Sequence, residues 1–345
     1  NAGIAIPAGD WTVDIGGNVN AFYIHNNSND SNTVAGGLAN AKGANGSSSS
    51  SINTGLLPSW LTVGAKTRQN DLDVAWAISF QPGASTTSSL QGGGASEFRQ
   101  AYMTFGDASW GSVKAGKDLG IFASDAILND MTLLGVGSGA GLLAGNTTTL
   151  GRIGTGFIYA DWKSQVAYTS PNWNGFQFTA GVTQAFNALS ADLNGSTAGG
   201  AASATSTARG GSSPAFEAKA SYSWTGDVAG KVWASAISQK VELTNLGSET
   251  ARGFDIGANV NVAGLGLTAY YYDAKGLGRT VQLADGFDTT GKRRDSDGYY
   301  VQATYALPTA TKVGLAYGRS NLDRNSAETK TALVEENKMW TLGVY

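Results

Sequence analysis

Asp71-Leu72-Asp73-Val74-Ala75-Trp76-Ala77-Ile78-Ser79-Phe80 alternates without a break. Leu72, Val74, Trp76, Ile78 and Phe80 share one parity, and Asp71, Asp73, Ala75, Ala77 and Ser79 the other. Successive strand side chains point to opposite faces, so the stretch is a strand with one apolar and one polar face. Its length is about that of a tilted strand crossing a bilayer. The same rhythm recurs along the chain and predicts an all-β fold, a transmembrane antiparallel β-barrel around a polar lumen.

Composition supports this reading. Only 14% of the 345 residues are charged, where about a quarter is usual, and 48 are glycine. Hydrophobic content is 41%, yet no apolar run has the ~18 residues of a membrane helix. The apolar surface is interleaved, which among lipid-spanning structures leaves the closed barrel. With no cysteine and a single histidine, His25, thiol chemistry, most nucleophilic triads and histidine-based metal sites are excluded. No cofactor, metal site or enzymatic activity is expected. A net charge of −3 without a basic cluster argues against nucleic acid. The start at Asn1, without a leader, predicts a mature product whose signal peptide has been removed.

About fourteen strands are expected, at 11–25, 59–68, 71–80, 97–105, 110–117, 160–170, 175–185, 215–225, 229–240, 252–262, 265–273, 297–307, 311–319 and 335–345. The strand at 229–240 has the weakest pattern. Residues 26–56, with Ser47 to Ser51, read as a long exposed loop. Gln69-Asn70 reads as a tight turn, and long loops alternating with short turns are the outer-membrane pattern. The glycine run from Gly135 to Gly141 is a loop rather than a phosphate cradle, since no Gly-Lys-Ser/Thr follows. Asp285 to Asp297 reads as a charged external loop, with contact to divalent cations or lipopolysaccharide as the alternative.

The central third of the chain resembles a family, the trimeric porins of Gram-negative outer membranes. Glu97-Phe98-Arg99-Gln100-Ala101-Tyr102, then Trp110-Gly111-Ser112-Val113-Lys114-Ala115-Gly116-Lys117, is similar to a porin strand pair. Asp130-Met131, Gly151-Arg152-Ile153-Gly154 and Gln165-Val166-Ala167-Tyr168-Thr169-Ser170-Pro171 with Gly175-Phe176-Gln177-Phe178 match further porin motifs. The resemblance implies one barrel over 1–345, sixteen-stranded in that family, with its third loop, 118–151, folded inwards as a constriction. It also implies a homotrimer in the outer membrane, contacting lipid and lipopolysaccharide and passing small hydrophilic solutes. Two departures stand out. Thr132, Leu133 and Leu134 occupy the place of a second loop acid, and the terminal Tyr345 has inward parity. Fourteen strands against sixteen leave two readings, a final hairpin absent from this sequence or a smaller complete barrel.

The resemblance carries Arg99 and Arg152 to the wall of the constriction and Asp130 to the facing loop, with Lys117 nearby. Opposed charges across a narrow lumen would orient dipolar solutes and reject long apolar ones. The competing reading is that Arg99 or Lys117 only pins the loop to the wall. Lumen-lining candidates are Lys66, Asp71, Asp73, Lys114, Glu217 and Lys219, with Arg68 and Lys163 as further cations and Asp125 as an offsetting acid. Three functions stay open: a passive channel, a selective channel for small carboxylates or other anions, and a soluble all-β adhesin or lectin.

Overall fold

Gln69 pairs with Leu72 across Asn70 and Asp71, whose φ angles are 52° and 58°. Two left-handed residues make the mirror-image turn whose twist matches that of the flanking strands. The same geometry recurs at Ala263-Gly264, between the paired Val262 and Leu265. Asp71 is therefore a turn residue rather than a strand residue lining the lumen.

The computed structural model describes residues 3–29, 35–39, 47–84, 86, 96–138, 149–188, 206–328 and 333–345. In chain order the elements are β1 (Ile4–Ala8), β2 (Trp11–Asn18), β3 (Phe22–Asn27), β4 (Ser48–Asn53), β5 (Trp60–Gln69), β6 (Leu72–Pro82), β7 (Ser96–Glu97), β8 (Ala101–Asp107), β9 (Gly111–Leu119), helix α1 (Ser124–Leu128), β10 (Trp162–Thr169), β11 (Phe176–Thr183), β12 (Ala215–Trp224), β13 (Val228–Leu243), β14 (Gly247–Val262), β15 (Leu265–Lys275), β16 (Asp295–Ala306), β17 (Lys312–Leu322) and β18 (Glu336–Val344). Sixteen strands form one sheet, an antiparallel path from β1 to β18 with β7 beside β6. Each strand on the path pairs with the next along the chain, giving a meandering β-barrel. No helix among the described residues is long and apolar enough to cross a membrane; the barrel crosses with strands.

All fourteen expected strands are on this path, and β1 joins it as one the alternation did not announce. The first expected strand, 11–25, is divided: β2 stays in the wall, while β3 leaves it to pair with β4 in a separate hairpin. The serine run is thus partly a strand, with the Tyr23 hydroxyl donating to Ser50 Oγ at 3.1 Å. The weakly patterned 229–240 lies within β13, which runs for 16 residues and pairs with the equally long β14.

Parity sorts the wall. Trp76, Ile78 and Phe80 point outwards and stay 37%, 42% and 37% exposed. Trp76 lies between Ala65 and Met103, and Ile78 between Val63 and Ala101. Each thus has a small residue on one side, Ala65 or Ala101, and a larger one on the other. Outward aromatics continue on β16 to β18, where the Tyr317 and Trp340 ring centroids are 4.6 Å apart.

Candidate pore and constriction

The inward parity of β12 presents Glu217 and Lys219, that of β13 Lys231 and Ser235, that of β14 Asp255 and that of β16 Tyr300 and Gln302. Against these groups fold residues 120–138 and 149–161, the described parts of the connection that leaves β9 and returns at β10. Helix α1 has no side-chain cap, and the wall accepts from the two backbone N–H groups just before its first residue. The Phe122 N–H donates to Glu217 Oε1 at 2.9 Å and the Ala123 N–H to Ser235 Oγ at 3.3 Å. Further on, Tyr300 donates its hydroxyl to the Ala126 carbonyl at 2.8 Å. Gln302 accepts from the Met131 N–H and donates to the Asn129 carbonyl, both at 2.8 Å.

Apolar packing completes the attachment. Phe122, Phe157 and Ile158 of the loop are fully buried in one cluster with Trp233, Ile237, Tyr270, Tyr272 and Tyr300 of the wall. Each fully buried Phe or Ile is worth about 1.5–3 kcal/mol. The barrel therefore holds a hydrophobic core inside it, along β13 to β16. The loop reaches further than its expected end at 151, because Ile153, Phe157 and Ile158 are still buried there.

Charge at this contact is mostly internal. Lys163 and Glu217 pair at 3.1 Å with both side chains sealed from solvent. Thr183 also donates to that carboxylate, as buried charge requires. Asp125, on α1, lies between two wall lysines, with Lys231 Nζ at 2.6 Å and Lys219 Nζ at 3.6 Å. The lysines remain 35% and 28% exposed. One carboxylate thus serves two cations, both of which reach water beside the loop.

The expected charge pair across the lumen does not form in this way. Asp130 turns back on its own loop and accepts from the Thr132 N–H at 2.9 Å, the Thr132 hydroxyl at 2.7 Å and the Arg152 N–H at 3.3 Å. Arg152 lies in the same loop and is wholly buried. Its guanidinium donates to the Met339 carbonyl at 3.0 Å and to Thr341 Oγ1 at 2.8 Å, pinning the loop to β18. Burial pushes the Asp130 carboxyl above its ordinary range, against the pull of Thr132 and Arg152. Burial likewise lowers Arg152, against the pull of Asp130 and Tyr300. Lys117 has outward parity, opposite Ala101, and Lys117 Nζ donates to the Phe98 carbonyl at 3.0 Å. Arg99 precedes β8, buried, with Nε on Glu97 Oε2 at 2.8 Å.

Among the described residues, the inward segment does not cover the polar face of the other half of the wall. There Lys66 faces Asp14 at 3.9 Å with both side chains well exposed. Lys114 pairs with Asp118 and lies 4.8 Å from the Tyr102 ring centre. Asp73 meets Arg68 at 2.9 Å, near the short turns. Lys66, Arg68, Asp73, Thr104, Ser112 and Gln177 help line an open cavity of about 800 Å³. Three wall residues of the loop contact escaped the sequence, Lys231, Ser235 and Tyr300. All carry the inward parity of their strands, a signal obscured in β13 by the apolar Trp233 and Ile237.

A polar-faced, lipid-belted barrel narrowed by an internal loop defines a membrane channel. The family model for Gram-negative porins matches residues 2–345, and the chain belongs to that family. It is an outer-membrane porin, a channel for diffusion of small solutes. No curated protein matches it closely in sequence. Among solved structures, the outer-membrane channel DcaP of Acinetobacter baumannii is similar at a TM-score of 0.63 and 17% identity, over 94% of this chain and 82% of that one. OmpF of Salmonella typhi, in complex with daunomycin, gives 0.61 and 13% over 99% and 87%. An anion-selective porin from Comamonas acidovorans gives 0.59 and 15% over 91% and 80%.

Proposed function

We propose that this porin prefers anions, with Lys219 and Lys231 as the cations that set the preference and the whole chain acting as one barrel. The observation that carries the reading is the single carboxylate of Asp125 between two lysines that remain open to water. Lys163 with Glu217 and Lys114 with Asp118 are balanced pairs, and the nearby Asp255 is buried on Ser235 and Tyr270, away from water. The likeness to an anion-selective porin accords with this balance. Replacing both Lys219 and Lys231 by Gln moves the reversal potential in a salt gradient towards cations. Asp125→Asn moves it towards anions, and both shifts shrink at high salt. Unmoved potentials in both variants would overturn the assignment. The same geometry leaves Asp130 and Arg152 as fasteners of the loop rather than as filters.

The assembly expected of this protein is a homotrimer, with lipid and lipopolysaccharide around it. Outward Leu61, Trp76, Ile78, Phe80 and Met103 on β5, β6 and β8 give a continuous apolar face for copies related by a closed threefold ring. A mass near three chains in mild detergent supports the ring; a single-chain mass removes it. No catalytic role is proposed.

A further inference from the structure

We propose that the mouth of this channel holds a binding site for a small zwitterionic solute with an apolar body, the chemical class of the apolar amino acids. The inference rests on the channel reading, since the site would hold a solute on its way through. A cavity of about 300 Å³ lies on the side of the long connections. Its walls include Leu57, Leu119, Ile127, Leu128, Leu133 and Val281. These come from three separate connections and the end of β9. Leu128 is 55% exposed, and Leu119 and Leu133 are only partly buried against the core. Apolar surface left open inside an otherwise polar lumen is stabilised when an apolar solute covers it.

Polar groups of both signs line the same cavity. The Arg99 guanidinium is 5.8 Å from the centre of the Trp162 ring and has Nε on Glu97 Oε2 at 2.8 Å. Ring and carboxylate together hold its plane, and a guanidinium with five donors can serve more than one acceptor. Asp161 Oδ1 accepts from the Trp162 N–H at 2.7 Å, which fixes its carboxylate beside the same ring. Tyr159, also on the cavity wall, keeps its proton, its phenol pushed up to about 12 by burial. A simple carboxylate entering here would meet Arg99 but also Glu97 and Asp161. A simple amine would meet the acids but also Arg99. A solute bearing both charges answers both, and its side chain fills the leucine-lined volume. The fixed groups lose little freedom on binding, which favours recognition of a small ligand.

The test uses the purified full chain in detergent and isothermal titration with L-leucine, glycine, 4-methylpentanoate and 3-methylbutylamine. Leucine is expected to bind about tenfold or more tightly than each of the other three, because glycine lacks the apolar body and the acid and amine each lack one charge. Leu128→Ser, at an exposed position, and Arg99→Gln should each weaken leucine about fivefold or more. Glycine matching leucine overturns the apolar part, and either single-charge analogue matching leucine overturns the zwitterion. Unchanged leucine affinity in Leu128→Ser moves the site elsewhere and overturns the proposal even if Arg99→Gln fails to fold. Conductance of the unaltered protein in potassium chloride tests the channel reading separately. A conducting protein that shows no leucine binding defeats the inference and leaves the channel intact.

Discussion

Two halves of one wall carry different interiors. From β2 to β9 the inward side chains include Asp14, Lys66, Ala75, Thr104 and Lys114, small or charged and none of them fully buried. From β13 to β16 they include Trp233, Ile237, Tyr270, Tyr272 and Tyr300, each 3% exposed or less. The outward faces of the two halves are alike. What differs is the loop, which turns the second interior into a packed core and leaves the first as solvent-lined surface. A barrel strand therefore loses its polar parity where another part of the chain covers it, and the loss marks the docking site.

The contrast can be broken most forcefully at its buried charges. Lys163→Met leaves Glu217 sealed without its cation and should cost about 3–5 kcal/mol, read by urea unfolding in lipid vesicles. A loss below about 1 kcal/mol would mean that water reaches the pair and that the loop does not seal this half. Next in size is the outward belt. Trp76→Arg should cost about 2–4 kcal/mol, and its neighbour Ala75→Arg clearly less, with the change appearing in conductance instead. Reversal of that order would invert the register of β6. The smallest effect belongs to the open half. Lys66→Ala removes an exposed pair with Asp14 and should change stability by under about 1 kcal/mol. A larger cost would show that the open wall also depends on its charges for structure.

The same contrast explains what the sequence could disclose. Leu72 to Phe80 was legible because one face meets lipid and the other water, and two solvents of opposite preference enforce a strict alternation. In β13, Val232 and Trp233 are both apolar because one faces lipid and the other the loop. β1, with five residues including Pro7, is too short to show a period. In the site, Lys219 and Glu217 followed from parity. Asp130 and Arg152 did not, since a motif fixes their place in the loop and not the direction of their side chains. Asp130-Met131-Thr132 carried a local hint, because an aspartate two residues before a threonine readily accepts from that residue's backbone and hydroxyl.

The fastening of the loop also sets an order in time. Phe122 donates to Glu217, 95 residues later in the chain, and Arg152 to the carbonyl of Met339 and to Thr341, 187 and 189 residues later. The first partner is in place only once β12 has been laid down, and the other two only with β18. Contacts of such separation carry a large loop-closure entropy and form late. The channel is thus built wide and narrowed last, and hydrogen exchange during refolding should protect the wall amides before those of Phe122 and Ala123.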